Sequence, residues 1–213
     1  SIVIPDWRAL QRTERITADP CYQRHRGRPL VAVWGGGFAG ADLSAALLVE
    51  CDLRGVDFGR ARLAGASINA GQAQGAVFAQ ADLSGAQFSG ATELSGADFT
   101  AADASRANFG DSVMRQARGA RACFNDAVLA GVDLTQADLR RAGLQRSLLR
   151  KAVLRGARLD DANLMDALAQ RADLRGANFA QPRRALLDQP AIELRHARRR
   201  GSRTRRERKN MQP

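Results

Sequence analysis

Gly35, Gly37 and Gly40 stand in "WGGGFAG" at the spacing G-x-G-x-x-G, directly after the apolar run Leu30 to Trp34. Between a strand and a helix, such a turn lets the backbone approach a dinucleotide pyrophosphate, which then meets the helix N-terminus. Few other groups are suited to chemistry. Cys21 and His25 form a C-x3-H pair, half of a metal site, but no second pair occurs at a matching spacing. The only histidines, His25 and His196, lie in opposite terminal segments, so a Ser-His-Asp or Cys-His site would have to borrow one of them. No P-loop is present. These residues predict no enzyme, no metal and no cofactor, provided that no helix begins at Gly40.

Beyond Gly40 the chain has a period of five, not 3.6. Leu or Phe falls at 38, 43, 48, 53, 58 and 63, then come Ile68, Ala73, Phe78, Leu83 and Phe88. One extra residue between Gly90 and Leu94 shifts the frame, which then runs from Leu94 to Phe179. Of the 29 units, 21 carry Ala two residues before the centre, and the rest carry Gly, Cys, Val, Thr or Ser there. Neither position is charged in any unit, while Asp, Asn, Arg and Gln crowd the other three. A dinucleotide fold would not continue in this way, so the glycines open a repeat array. The many Asp residues recur with the same period, which marks them as repeat corners and not as carboxylate pairs.

Two inward positions per five residues describe a chain that turns a corner every five residues. Four such sides close a square coil of 20 residues, and stacked coils exchange backbone hydrogen bonds at about 4.8 Å. A large side chain at both inward positions would overfill so narrow an interior. The units "ADLSG" (81–85), "ADLRR" (137–141), "ANLMD" (162–166), "ADLRG" (172–176) and "ANFAQ" (177–181) resemble the pentapeptide-repeat family. That resemblance implies an all-β fold, a right-handed quadrilateral β-helix, over about 35–181. Positions 20 apart then stack: Phe38, Phe58, Phe78 and Phe99 as an aromatic ladder on the first face, with Leu43, Leu83 and Leu144 on the second. Leu134, Leu154 and Leu174 lie inward on the fourth. Just over seven coils are expected, with the slip near 90–93 as a bulge or corner loop.

Residues 1–34 lack the register and are expected to form an N-terminal cap, with Trp7 and Leu10 on one side of a short helix. Residues 182–197, with Leu186, Leu187, Ile192 and Leu194, are expected to cap the other end, partly as helix. Residues 198–213 have almost nothing to bury and are expected to be disordered. The net charge of +11 divides as +3 over 1–34, zero over 35–181 and +8 over 182–213. The basicity belongs to the tail. Within the coil, residues 35–104 sum to −5 and 105–181 to +5. No run of about 18 apolar residues spans a membrane, the first twenty residues are too polar for a signal-peptide core, and three scattered cysteines suggest no disulfide framework. A bacterial cytosol is the expected compartment.

The residue before each centre points outward. On the third face Val128, Leu148 and Leu168 make an apolar strip suited to a protein partner, a second copy of the chain or a covering by the C-terminal segment. On the fourth, Arg115, Arg155 and Arg175 form an arginine row. The tail residues Arg198, Arg199, Arg200, Arg203, Arg205, Arg206, Arg208 and Lys209 could bind nucleic-acid phosphates without sequence preference. The leading reading is a non-catalytic scaffold that binds another protein. The family resemblance implies an alternative: a DNA mimic that binds DNA gyrase or topoisomerase IV and protects it from poisons, giving antibiotic resistance. Such mimicry needs a broad negative surface, and this coil is neutral with a positive C-terminal half. The resemblance also extends to effectors delivered into host cells, which some members of the family are.

Overall fold

A computed structural model describes residues 2–3, 22–25, 28–31, 37–49, 51–69 and 71–179. The expected cap helix around Trp7 and Leu10, the C-terminal cap 182–197 and the tail 198–213 lie outside the described residues.

The backbone winds as a β-helix, and its regularity comes from how each five-residue unit satisfies its own donors. In the unit 97–101, the Ala97 N–H closes a turn on the Leu94 carbonyl at 3.0 Å, and the Asp98 N–H donates to Ala76 of the preceding coil at 2.9 Å. The Phe99 and Ala101 N–H groups donate to Arg118 and Ala120 of the next coil at 2.6 and 3.0 Å. The fifth donor, Thr100 N–H, is taken by the Asp98 carboxylate at 2.9 Å. No backbone donor of the unit is left over. This is why Asp or Asn precedes so many centres: its side chain accepts the N–H two residues on, as an Asx turn. Asp42, Asp52, Asp57, Asp82, Asp103, Asn108, Asp138 and Asn163 do the same.

Each regular turn of the described coil places its third residue at positive φ, in the left-handed region. Glycine fills that position at Gly40, Gly55 and Gly85, but Arg60, Gln80, Asp126 and Lys151 also adopt it, with φ of 58, 60, 60 and 59°. The strain of about 1 kcal/mol or more at each such residue is offset by the hydrogen bonds that the turn completes.

Parallel bridges link each outward residue to the one 20 later, as in Gly37 to Asp57, Asp42 to Arg62 and Asp52 to Gln72. Across the inserted residue the offset becomes 21, from Gln72 to Glu93 through Gln87 to Asn108, and then returns to 20. Gly90 and Ala91 both have positive φ, 73 and 54°, so the extra residue sits in a corner loop and leaves the ladder unbroken. Thr92 Oγ1 donates to the Ser89 carbonyl at 3.1 Å inside that loop.

Within the described coil, three-residue strands occur at β4 (Leu47–Val49), β5 (Ser67–Asn69) and β6 (Gln87–Ser89), which pair in parallel. Upstream lie β1 (Ile2–Val3), β2 (Tyr22–His25) and β3 (Arg28–Val31). Strands β2 and β3 form an antiparallel hairpin, and β1 joins β3 to β4 with antiparallel pairing on both sides. No periodic signal in the chain points to these three strands. Among the described residues there is no helix, so Gly40 opens a β-turn of the first unit and not a nucleotide-binding helix.

The interior is a single column. Phe58, Phe78, Phe99, Leu43, Leu83, Leu144 and Leu154 are fully buried, and Leu134, Phe38 and Leu174 are 1–3% exposed. Phe38, Phe58, Phe78 and Phe99 stack with centroids 5.4, 5.1 and 5.1 Å apart. Phe88 and Phe109 form a second stack at 4.5 Å, set edge-on to the first. At Gly119 the first ladder stops. An added Cβ there would lie 2.9 Å from Leu139 Cδ2 and 3.3 Å from Phe124 Cε2, because the ring of Phe124 reaches across from the adjacent face into that space. The buried hydroxyls differ in their partners: Ser147 Oγ donates to the Leu144 carbonyl at 2.8 Å, whereas Ser112 Oγ has no hydrogen bond.

Leu134→Asp should unfold the coil, since an unpaired carboxylate in this column is a change of the kind that costs more than about 4 kcal/mol; loss of the far-UV strand signal is the readout. Ser112→Ala should raise the urea midpoint by removing an unsatisfied hydroxyl, and Ser147→Ala should lower it, each by about 1 kcal/mol in stability.

Candidate functional site

Within the described coil the interior is filled, so a site can form only on the side wall. Its outward rows repeat at the coil spacing, so a charged residue has neighbours about 4.8 Å above and below. The chain uses this to alternate signs. Along the first face run Asp98, Arg118, Asp138 and Arg158, and along one corner Arg106, Asp126, Arg146 and Asp166. Arg146 Nε and Nη2 donate to the two Asp126 carboxylate oxygens, both at 2.7 Å, and Arg118 lies 3.3 Å from Asp98. Arg62 reaches Asp42 of the preceding coil at 3.6 Å. Pairs with a neutral partner obey the same offset, as in Gln116 with Gln136 and Arg60 with Gln80, both 3.1 Å.

The arginine row of the fourth face is tied down in the same way. Arg115 donates to Asp133 at 2.6 Å and Arg155 to Asp173 at 2.5 Å, each reaching one coil ahead. Arg175 grips the same Asp173 from its own unit, through Nε at 2.9 Å and Nη2 at 2.6 Å. All three side chains are more than half exposed, yet each is held by a carboxylate, Arg155 and Arg175 sharing Asp173. Arg54 and Asp52 repeat this arrangement at 2.5 Å. The hydrogen bond from the Arg175 side chain, with that from Arg155, holds the Asp173 carboxyl far below the ordinary range against a smaller opposing effect of burial. The side chain and N–H of Arg54 bring Asp52 down to about 2, and Arg140 lowers Asp138.

The apolar strip is equally regular. Val128 bridges to Leu148 and Leu148 to Leu168, so the three side chains stand in one row on successive coils, each half-buried. The row begins with Leu47, Ser67, Gln87 and Asn108, and Leu47 is 41% exposed. Met165, 44% exposed, stands on the corner before Leu168. On the first face a groove of about 520 Å³ is lined by Arg121, Arg140, Arg141 and Arg158 together with Asp160 and Asp161. Arg140 is held by Asp138 at 2.6 Å and Arg141 lies 3.7 Å from Asp161. The groove therefore holds opposed charges and no nucleophile with an adjacent base.

Among the described residues no group of His, Cys, Asp and Glu is arranged to hold a metal, and no helix is long and apolar enough to cross a membrane. The structure brings Val128, Leu148 and Leu168 together, and Arg115, Arg155 and Arg175 likewise, but the latter with carboxylate partners. The tail residues from Arg198 to Lys209 lie outside the described residues. Sequence reasoning missed the alternating charge rows. Aligning the polar positions at the 20-residue offset that aligns the apolar ones reveals them.

Two family models, described as pentapeptide repeats (9 copies) and pentapeptide repeats (8 copies), match residues 73–118 and residues 38–70, 122–147 and 142–181, respectively. The chain belongs to the pentapeptide-repeat family. Solved structures similar to this pentapeptide-repeat protein include one from the Arabidopsis thaliana thylakoid lumen, 28% identical with a TM-score of 0.42, covering 42% of this chain and 63% of that one. HetL of the cyanobacterium Nostoc, involved in heterocyst differentiation regulation, is 27% identical with a TM-score of 0.32, covering 68% and 74%. QnrB1, a plasmid-mediated fluoroquinolone resistance protein, is 22% identical with a TM-score of 0.39, covering 70% and 74%. No curated protein gives a significant match.

The lowered carboxylates fix the sign of the acid response. A carboxyl with a depressed folded pKa stabilises the fold above its unfolded value of about 3.9, and the effect is lost as pH falls through the folded value. The urea midpoint should therefore hold between about pH 7 and 5 and fall below about pH 4. Asp173→Asn should lower the midpoint at neutral pH and make the fall in acid shallower than in the parent protein.

Proposed function

We propose that this protein is a non-catalytic scaffold: a right-handed coil, square in section and about seven turns long, that binds another protein through the third face. One observation carries the reading. The first, second and fourth outward rows are dominated by paired or polar groups, whereas the third places Val128, Leu148 and Leu168 in succession. A rigid row of aliphatic side chains between polar corners is the composition of an interface centre with its rim. With many side-wall charges already paired, apolar burial supplies the affinity. A bacterial cytosol is the compartment we assign, on composition.

A topoisomerase-binding DNA mimic is the weaker reading. Residues 105–181 carry +5, and a mimic of the duplex has to present negative charge along its length.

The full chain, immobilised and exposed to the lysate of the cell that makes it, should retain a protein that Leu148→Glu with Leu168→Glu loses, while circular dichroism of the variant stays that of the parent. Retention of the same proteins by the variant would falsify the third face as the docking surface. The purified protein should leave gyrase supercoiling unchanged at micromolar concentration, and inhibition there would restore the mimic.

A further inference from the structure

The two edges of the apolar strip differ. On the edge before the row, Arg146 is neutralised by Asp126. On the edge after it stand Arg150, Lys151 and Arg171, all exposed. Arg150 donates to Gln170 at 3.2 Å, and none of the three pairs with a carboxylate among the described residues. The strip therefore calls for an occupant with aliphatic side chains and acidic groups to one side.

The chain contains such a segment. Residues 185–194, "ALLDQPAIEL", hold Leu186, Leu187, Ile192, Leu194, Asp188 and Glu193, with no basic residue between Arg184 and Arg195. Counting the five-residue frame onward from Phe179 puts Arg184 and Gln189 at inward positions, which the filled aliphatic column excludes. The five-residue sequence pattern thus ends before Arg184. The strip itself runs from Leu168 down to Val128, two coils or about 10 Å. Six extended residues span roughly 20 Å, so the segment is long enough to run the length of the strip. The next basic run, Arg195 to Arg200, would then head toward the half of the coil that carries −5.

We propose that residues 185–194 lie along the outside of the third row, with their aliphatic side chains against Val128, Leu148 and Leu168 and with Asp188 and Glu193 beside Arg150, Lys151 and Arg171. The segment occupies the docking surface until a partner displaces it. That last clause rests on the scaffold reading; the intramolecular contact does not. Tethering gives a local concentration on the order of millimolar, so an intrinsic Kd of about 0.1 mM keeps the strip roughly 90% covered.

The test uses the full chain with benzoylphenylalanine in place of Leu148 and, separately, of Met165 at the strip's other edge. Light and heavy isotope-labelled protein are mixed, irradiated at low concentration and digested. Light–light and heavy–heavy links from position 148 or 165 to residues 185–194, reduced at least fivefold by Asp188→Lys with Glu193→Lys, support the contact. Mixed light–heavy links show a second copy on the strip and overturn it. So do links elsewhere, or no links from either position. Partner retention is read separately in the lysate: if it depends on Leu148 while the intramolecular link is absent, the fold-back fails and the docking surface stands. If the link forms and retention is indifferent to Leu148, the fold-back stands alone.

Discussion

The whole molecule derives from an interior only wide enough for one large and one small side chain in every five residues. Leu or Phe fills the centre, and Ala two residues earlier leaves room for the centres of the adjoining faces. Where the pattern is relaxed, the space is reclaimed locally. Gly119 contributes no side chain, and the Phe124 ring enters from the neighbouring face, 6.2 Å from Phe99 and 5.9 Å from Phe109. A column this narrow forces the backbone to turn after every unit. Repeated turning demands a left-handed residue and leaves an N–H stranded, which accounts for the glycines and for the Asp or Asn that precedes many of the centres.

The periodic part of this design is legible in the sequence. The positions of Phe38 to Phe99 in one stack, and the single inserted residue between Gly90 and Leu94, both come from counting by fives and twenties. Other features are not. Arg60, Gln80 and Lys151 sit at positive φ, where propensity favours glycine, because the ladder on both sides overrides the local preference. The fourth-face arginines read as a solvated row, since a five-residue window cannot show that Arg115 meets Asp133 or that Arg155 meets Asp173. Strands β1 to β3 carry no repeat and are specified by pairing with one another and with β4. That information is absent from any local window.

Charge in this coil serves cohesion first. Pairs such as Arg146 with Asp126 join successive coils, and each is worth little alone at an exposed site. Arrayed along the wall, they leave the coil neutral overall while its two halves differ in sign. The aliphatic row on one face, with three cations along one of its edges, is the surface through which we propose that the protein binds. On that reading, partners are selected by shape and apolar contact, and the cations beside the row set the orientation.

The direction of the backbone hydrogen bonds has a mechanical consequence. Apart from the bond that closes the turn in each unit, they run along the axis, each joining a residue to one about 20 further on. Tension applied between the two ends therefore loads the bonds of a coil boundary along their length. A pulled molecule would yield in successive steps, one coil per event, with each step releasing about 20 residues, or about 68 Å of contour. The rod is stiff in bending and weak in extension.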